Sequence, residues 1–251
     1  MKQLLTFGCS FTDGQHGVGW PNRLAELMGR ELTNYGKGSA GNFYISSKIV
    51  EAVSKLEEQD VYVVVMWSGI DREDLVVSKY EHNFTNEEAM ELGYTDTDIT
   101  NASGDWFHSG GMPIPSATDS TLSITDYVSG SKFFEWFWRT FFKNYHTFEN
   151  SYLKSLNNML ATQNLLKLKN IPYKFVTFKD IFSQSFGKYK SAEPFENLID
   201  WDKFHFEQIG KEKFCGEAEW VELNKLTRAE DNIHPTVESH YKYAEHLYEI
   251  L

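Results

Sequence analysis

The chain has 251 residues, with 24 Lys or Arg and 36 Asp or Glu, which gives a net charge of −12. An acidic surface does not suit binding to DNA, RNA or an anionic membrane, so we expect neither nucleic acid nor membrane as a partner. We see no apolar run long enough to span a bilayer and no secretory pattern, so we expect a cytoplasmic protein without a signal peptide or transmembrane segment. The two cysteines are too few for a disulfide framework or a four-thiolate zinc site.

The first 67 residues alternate between strand and helix patterns. Residues 3–8, 32–35 and 61–67 are predicted strands. Helices are predicted from Pro21 to a stop at Gly29, and over 44–56, with a loop rich in small residues over 9–19. The run VYVVVMW at 61–67 is almost wholly apolar, as expected for a central parallel strand that is covered on both faces. The alternation therefore indicates an α/β fold with a doubly wound parallel sheet.

Residues 72–132 interrupt this alternation, because they are polar and contain Gly and Pro without clear periodicity. The aromatic segment 133–146, FFEWFWRTFFKNYH, is predicted to be either a buried helix that anchors an insertion or an aromatic wall beside a substrate cleft. We therefore expect one domain over residues 1–251, with an insertion at about 72–150.

The remaining chain returns to regular patterns. A long amphipathic helix is predicted over 152–168 and a strand over 173–178. The stretch 183–228 is mixed and rich in loops. An apolar stripe that begins at Val237 predicts a C-terminal helix.

Ser10 is the candidate nucleophile. It follows the first predicted strand, in Gly8-Cys9-Ser10-Phe11-Thr12. Ligands of open α/β sheets bind beyond the carboxyl ends of the strands, where this serine would lie. Serine is also common in turns and caps, so the position alone does not establish a catalytic role.

Asp231 and His234 form a candidate carboxylate–imidazole pair, in Glu-Asp-Asn-Ile-His-Pro just before the last helix. A serine hydroxyl needs a base to become a nucleophile, and that base is usually a histidine oriented by a carboxylate. A three-residue spacing within a turn can place both side chains on one side. The alternative is that Asp231 caps a turn and His234 is a solvated loop residue.

A loop of small residues, NYGKGSAGN from Asn34 to Asn42, is the third feature. Acyl transfer generates an oxyanion, and backbone N–H groups in a tight loop can stabilise it. The loop alone means little, but it adds to the signals from Ser10 and from the Asp231–His234 pair.

Together these segments resemble the SGNH, or GDSL-like, hydrolases, and they occur in that family's order. The segment around Ser10 resembles the nucleophile block, residues 34–42 the second block, residues 61–71 the third, and residues 231–234 the D-x-x-H block. The resemblance implies a flavodoxin-like three-layer α/β/α fold with a central parallel sheet. It also implies a Ser10–His234–Asp231 triad.

The same resemblance implies that the oxyanion binds the amide of Ser10 and that of Gly38 or Ser39. Two positions depart from the family pattern. Ser39 replaces the glycine of the second block, and Ile70 replaces the asparagine of the third block, whose side chain donates to the oxyanion. Asn42 and Ser68 are the substitutes to consider. Losing one such donor typically costs about 2.7–4 kcal/mol of transition-state stabilisation, so activity is expected to be slow, retuned or absent.

The expected function is therefore that of a serine hydrolase acting on an ester of a small molecule or carbohydrate, with a carbohydrate O-acetyl group as one possible substrate. Two alternatives stay open. The chain is either a catalytically weak or inactive scaffold that binds or supports other molecules, or an acyltransferase that uses the same triad. The sequence does not predict the oligomeric state.

Other residues carry weaker signals. Asp71 and Arg72 are either a structural ion pair at a strand end or contacts for an anionic substrate group. His240 and His246 are six residues apart and do not share a helical face, so we expect no zinc pair, and we predict no metal and no organic cofactor. Cys9 is expected to be a small buried residue rather than a reactive thiol.

Overall fold

The computed structural model describes residues 2–14, 18–56, 60–78, 103–108, 140–141 and 143–251. Its strands are β1 (Lys2–Gly8), β2 (Glu31–Gly36), β3 (Asp60–Trp67), β4 (Asp74–Ser78), β5 (Ser103–His108), β6 (Tyr173–Thr177), β7 (Glu207–Ile209) and β8 (Glu212–Cys215). Its helices are α1 (Ser10–Asp13), α2 (Trp20–Met28), α3 (Asn42–Ser54), α4 (Phe148–Leu168), α5 (Glu193–Glu196), α6 (Glu217–Leu223) and α7 (Val237–Ile250), with a 3₁₀ turn at Trp201–Lys203.

A parallel sheet with the strand order β2-β1-β3-β6 forms the centre of the fold. The chain moves from β1 to β2 in one direction and from β2 to β3 in the other, so right-handed crossovers place α2 and α3 on opposite faces of the sheet. Helix α2 packs with α7, and α3 packs with α4. The predicted three-layer α/β/α fold is confirmed.

The burial of the central strand β3 explains why its sequence is almost wholly apolar. Val63, Val64, Val65 and Met66 are all fully buried. Full burial of a side chain of this size contributes about 1.5–3 kcal/mol, so a polar substitution here would remove a large part of the free energy of folding. The prediction of a strand covered on both faces is confirmed.

Helices α2 and α7, which form one outer layer, have boundary residues that are typical of helix ends. Helix α2 has Pro21 in its first turn and ends at Gly29, whose φ of 60° is the left-handed conformation that glycine adopts at low cost. Helix α7 is capped by the Thr236 hydroxyl, which accepts from the Ser239 amide at 3.3 Å. The chain thus leaves the Asp231–His234 segment and enters α7 at once.

The predicted loop over residues 9–19 is wrong at its start, where Ser10–Asp13 form the short helix α1. The Cys9 carbonyl accepts from the amides of Thr12 and Asp13, both at 2.9 Å, and turns the chain directly after β1. Cys9 itself is fully buried, as predicted.

Within the predicted insertion, β4 and β5 pair antiparallel in a small separate sheet. The aromatic segment 133–146 lies mostly outside the described residues, so its two readings stay predictions. No helix in the described part of the chain is long and apolar enough to cross a membrane.

Candidate active site

Ser10, His234 and Asp231 meet at the carboxyl end of β1. The Ser10 Oγ lies 2.7 Å from the His234 Nε2, although the two residues are 224 positions apart in the chain. The His234 Nδ1 lies 2.5 Å from the Asp231 Oδ2. With the imidazole proton on Nδ1, the ring donates to Asp231 and accepts from the Ser10 hydroxyl.

A tight turn holds the Asp231 carboxylate in this orientation. Its Oδ1 accepts from the amides of Ile233 at 2.9 Å and His234 at 3.0 Å, which leaves Oδ2 for the imidazole. Asn232 completes the turn with a φ of 57°, a left-handed conformation that asparagine tolerates well. The three-residue spacing therefore places both side chains on one side of the turn.

The environment keeps Asp231 ionised. Partial burial raises the pKa of its carboxyl, but the hydrogen bonds from the His234 ring and from the Ile233 and His234 amides outweigh this, and the pKa falls to about 2. A carboxylate that stays negative near neutral pH can stabilise the imidazolium that forms when His234 takes a proton.

Aromatic rings support the imidazole from the core side. The centre of the Phe11 ring lies 5.1 Å from that of His234 and 5.2 Å from that of Phe178. Phe11 follows the nucleophile directly and is 2% exposed. Packing of Phe11 therefore fixes both the Ser10 backbone and the position of the His234 ring.

Asn34 joins the small-residue loop to the segment around Ser10. Its Nδ2 donates to the Thr12 carbonyl at 2.8 Å, and its Oδ1 accepts from the Thr6 hydroxyl and the Gly36 amide, both at 2.9 Å. A Cβ on Gly36 would lie 2.4 Å from the Asp13 nitrogen, so the close approach of the two backbone segments requires glycine at this position. Sequence analysis used Asn34 only as the start of a motif and missed this role.

Gly38 and Ser39 lie in the same loop. The Gly38 amide donates to the Asp13 Oδ2 at 3.2 Å, so it is already used within the protein. Ser39 has a φ of 66°, the left-handed conformation that favours glycine. Ser39 thus stands at the family's glycine position with a glycine-like backbone.

Asn42 and Ser68 bind each other rather than an open site. The Asn42 Nδ2 donates to the Ser68 carbonyl and the Ser155 hydroxyl, both at 3.1 Å, and its Oδ1 accepts from the Ser68 amide at 2.8 Å. Both residues are buried, and the Ser68 hydroxyl has no hydrogen-bond partner among the described residues. The Asn42 amide hydrogens are therefore committed to joining α3, β3 and α4.

Asp71 and Arg72 do not form an ion pair in the described part of the chain. The Arg72 Nη1 instead donates to the Ala40 carbonyl at 3.3 Å, and its guanidinium carbon lies 5.3 Å from the centre of the Phe178 ring. Burial raises the pKa of Asp71 to about 6, although a backbone hydrogen bond and the positive charges of Lys179 and Arg72 oppose the shift.

A cavity of about 410 Å³, a size that suits a small-molecule ligand, lies beside these residues. Ile70, Arg72 and Asn42 contribute to its wall, together with Ser155 and Asn158 of α4. None of the triad residues lines it, within the part of the chain that the structure describes.

A second carboxylate–imidazole pair lies behind the triad, between α6 and α7. The Glu217 Oε1 and the His240 Nδ1 are 2.6 Å apart and both side chains are fully buried. The His240 ring is 6.4 Å from that of Phe11, on which His234 also packs. Burial raises the pKa of Glu217, opposed by the charges of His240 and His234. Sequence analysis missed this pair, because no local motif links residues 23 positions apart.

No protein-family model and no curated protein matches the chain. Three similar solved structures are a proposed lipolytic protein of the G-D-S-L family from Desulfitobacterium hafniense DCB-2, a G-D-S-L family lipolytic protein from Veillonella parvula DSM 2008 and a proposed acylhydrolase from Bacteroides fragilis NCTC 9343. Their identities are 10%, 12% and 13%, and their TM-scores are 0.41, 0.43 and 0.39.

These matches cover 100%, 100% and 99% of this chain, and 100%, 98% and 86% of the other chains. Two of the three carry the family name that the sequence motifs resemble.

Proposed function

We propose that this chain is a serine hydrolase that cleaves esters, with Ser10 as nucleophile, His234 as general base and Asp231 as the carboxylate that orients the base. The observation that carries the proposal is the continuous contact from the Ser10 Oγ to the His234 Nε2 at 2.7 Å and from the His234 Nδ1 to the Asp231 Oδ2 at 2.5 Å. The first contact is within reach for direct proton transfer from the hydroxyl.

In the proposed reaction the Ser10 Oγ attacks the ester carbonyl carbon while the His234 Nε2 takes its proton. The tetrahedral intermediate then collapses, and the imidazolium protonates the leaving alcohol. Water attacks the resulting acyl group on Ser10 with His234 again as base, which releases the acid. Asp231 stays ionised through the cycle and keeps the second imidazole proton on Nδ1.

We assign the oxyanion to the amide of Ser10 and to that of Ser39 or Gly38 in the small-residue loop. Ser10 is the first residue of α1, so its N–H has no acceptor within that helix. The Gly38 amide donates to the Asp13 carboxylate at 3.2 Å, so it would have to exchange that acceptor for the oxyanion. With Ile70 at the third-block asparagine position, one side-chain donor is missing, which lowers the rate by about 10²–10³-fold relative to a complete oxyanion hole.

The proposed substrate is a small-molecule or carbohydrate ester, with an O-acetyl group as the first candidate to test. The cavity beside Ile70 and Arg72 has the size of such a ligand, and its wall carries the cations Arg72 and Lys154 together with the acidic residues Glu73 and Asp74. This mixed polar lining suits a hydroxyl-rich group, which would have to extend from the cavity to Ser10. No cofactor takes part in the proposed reaction.

The test combines a serine-reactive fluorophosphonate with p-nitrophenyl acetate turnover. Wild-type protein is expected to take up one label per chain, and Ser10→Ala and His234→Ala are expected to lose both labelling and turnover. Ser54→Ala, at an exposed position near the end of α3, is the matched control and should label normally. Turnover that is unchanged in Ser10→Ala would show that the mechanism is wrong.

A second candidate function is a binding protein on the same scaffold, and the oxyanion region favours it. Ile70 stands in place of the donor asparagine, and the Asn42 amide hydrogens and the Gly38 amide are all engaged internally. This alternative predicts no fluorophosphonate labelling of wild-type protein. Saturable binding of an ester that is recovered intact would then support it.

A further inference from the structure

His205, Glu207 and His246 form a cluster away from the triad. The His205 Nε2 lies 3.0 Å from the Glu207 Oε1, and the His246 Nε2 lies 2.8 Å from the same oxygen. One ligand-type atom from each side chain falls within 4.8 Å of the others. Two imidazole nitrogens and one carboxylate oxygen therefore converge on a single small volume.

The local sequence explains how the first two side chains come to share a face. Phe204 has extended backbone angles and Glu207 begins β7, and in an extended chain alternate residues point the same way. The rings of Phe204 and Phe206 stack with centroids 5.2 Å apart and pack into the aromatic core. His205 and Glu207 are left on the other face.

The third side chain comes from helix α7. The His246 ring stacks on Trp220 of α6, with centroids 5.0 Å apart and ring planes at 19°, and this contact limits its rotation. Segment 204–207, α6 and α7 thus each fix part of the cluster. The side chains are 19%, 11% and 28% exposed for His205, Glu207 and His246, so the cluster is largely enclosed but reachable from solvent.

We propose that His205, Glu207 and His246 bind a divalent transition-metal ion, with Zn²⁺ as the best fit. Zn²⁺ takes histidine nitrogen and carboxylate oxygen at about 2.0–2.2 Å in tetrahedral sites, which places neighbouring ligand atoms roughly 3.3 Å apart. The observed separations of 2.8 and 3.0 Å from the Glu207 oxygen need to widen by a few tenths of an ångström, and the two imidazole nitrogens, which lie within 4.8 Å of each other, need to come to about the same separation. The ion replaces the protons that otherwise bridge these atoms.

Three protein ligands leave the fourth tetrahedral position for water. The ion joins segment 204–207 to α7, the helix that directly follows the Asp231–His234 turn. The expectation of no metal site rested on the spacing of His240 and His246 and on the small number of cysteines. The structure separates those two, since His240 contacts Glu217 whereas His246 contacts Glu207.

The test is Zn²⁺ binding to the chelator-treated full chain, measured by calorimetry in competition with a chelator of known affinity. One equivalent should bind, and Co²⁺ should give the strong visible absorption of a tetrahedral site. Glu207→Gln keeps the size and hydrogen-bonding capacity of the side chain but removes its charge. It should weaken Zn²⁺ binding about tenfold or more, a loss that even an outer-shell partner of a ligating histidine can cause. His205→Ala and His246→Ala should do the same.

His234→Ala is the matched control, because the triad also offers an imidazole beside a carboxylate. It should still bind one equivalent of Zn²⁺ and still show the rise in melting temperature that Zn²⁺ gives wild-type protein. Glu207→Gln should lose that rise. Circular dichroism checks that each variant is folded. The proposal is overturned if wild-type protein binds no stoichiometric Zn²⁺, if Glu207→Gln and His205→Ala bind it as tightly as wild type, or if His234→Ala abolishes binding.

Discussion

Replacing Asp231 by Asn tests the proposed triad through the tautomer of its histidine. The amides of Ile233 and His234 both donate to the Asp231 Oδ1, so the oxygen of an introduced asparagine would keep that place. Its NH₂ group would then face the Nδ1–H of His234 at the present 2.5 Å contact. The imidazole would have to move its proton to Nε2, where it can no longer accept the Ser10 proton.

The size of the effect follows from the contacts that are lost. A hydrogen bond to a charged acceptor contributes about 1.5–3 kcal/mol, and an opposed pair of donors adds a penalty of about 1–3 kcal/mol. The Asp231 side chain is 46% exposed, so solvent relieves part of the second contribution. We expect about 4 kcal/mol in total, or roughly a 10³-fold loss of kcat at 1.36 kcal/mol per factor of ten.

The assay is p-nitrophenyl acetate turnover with kcat and KM determined separately, together with the rate of fluorophosphonate labelling. Asp180→Asn is the matched control, because the Asp180 Oδ1 also accepts two amides, those of Phe182 and Ser183, both at 3.0 Å, in the same type of turn. That variant should keep wild-type kcat. A kcat for Asp231→Asn within about threefold of wild type would refute the reasoning, because Asp231 would then not set the tautomer of the base.

Three further predictions concern the turn, the sheet edge and the buried pair. Relative to Asn232→Gly, Asn232→Val should lower the free energy of unfolding by about 1–2 kcal/mol and slow fluorophosphonate labelling, because the φ of 57° strains a β-branched residue. Equal stability and labelling of the two variants would contradict this. The pKa of Asp71 is raised to about 6, so wild-type protein should lose stability as the pH rises from about 4 to about 6. Across that window the free energy of unfolding of Asp71→Asn, measured in urea, should rise relative to that of wild type by at most about 3 kcal/mol. A difference between the two proteins that does not depend on pH would disprove this prediction. Glu217→Ala should cost about 3–5 kcal/mol in urea unfolding, because it leaves His240 buried without its partner; a cost under about 1 kcal/mol would show that the pair is not ionic.

The sequence predicted the sheet and its helices because their signals are local. The apolar run of β3, the Pro21 and Gly29 boundaries of α2 and the apolar stripe of α7 each lie within one element. Asp231 and His234 could be paired for a related reason, since they share one turn, whereas the resemblance to a known family linked them to Ser10. The single-domain boundary and the catalytic roles stay predictions.

Contacts between distant segments could not be read in the same way. Asp74 is one example, since its carboxylate accepts from the Gly41 and Tyr44 amides at 2.8 Å each and so holds the start of α3. The Glu217–His240 pair is another. Both involve residues 23 to 33 positions apart that no spacing rule connects, and only the packing of α3 or α6 against its neighbours brings them together.

The packing of α2 against α7 controls the geometry of the proposed triad, because Ser10 is carried by the segment before α2 and His234 by the turn before α7. Arg23 contacts Glu245 across these helices at 2.7 Å, but this partly exposed pair contributes at most about 1 kcal/mol. Burial of Tyr243 and Leu247, each 1% exposed, contributes about 1.5–3 kcal/mol per side chain and dominates the docking of α7. The distance from base to nucleophile is therefore set mainly by the burial of apolar side chains of α7, remote from the reacting atoms. Any ligand that clamps α7 to the rest of the fold acts on that same distance.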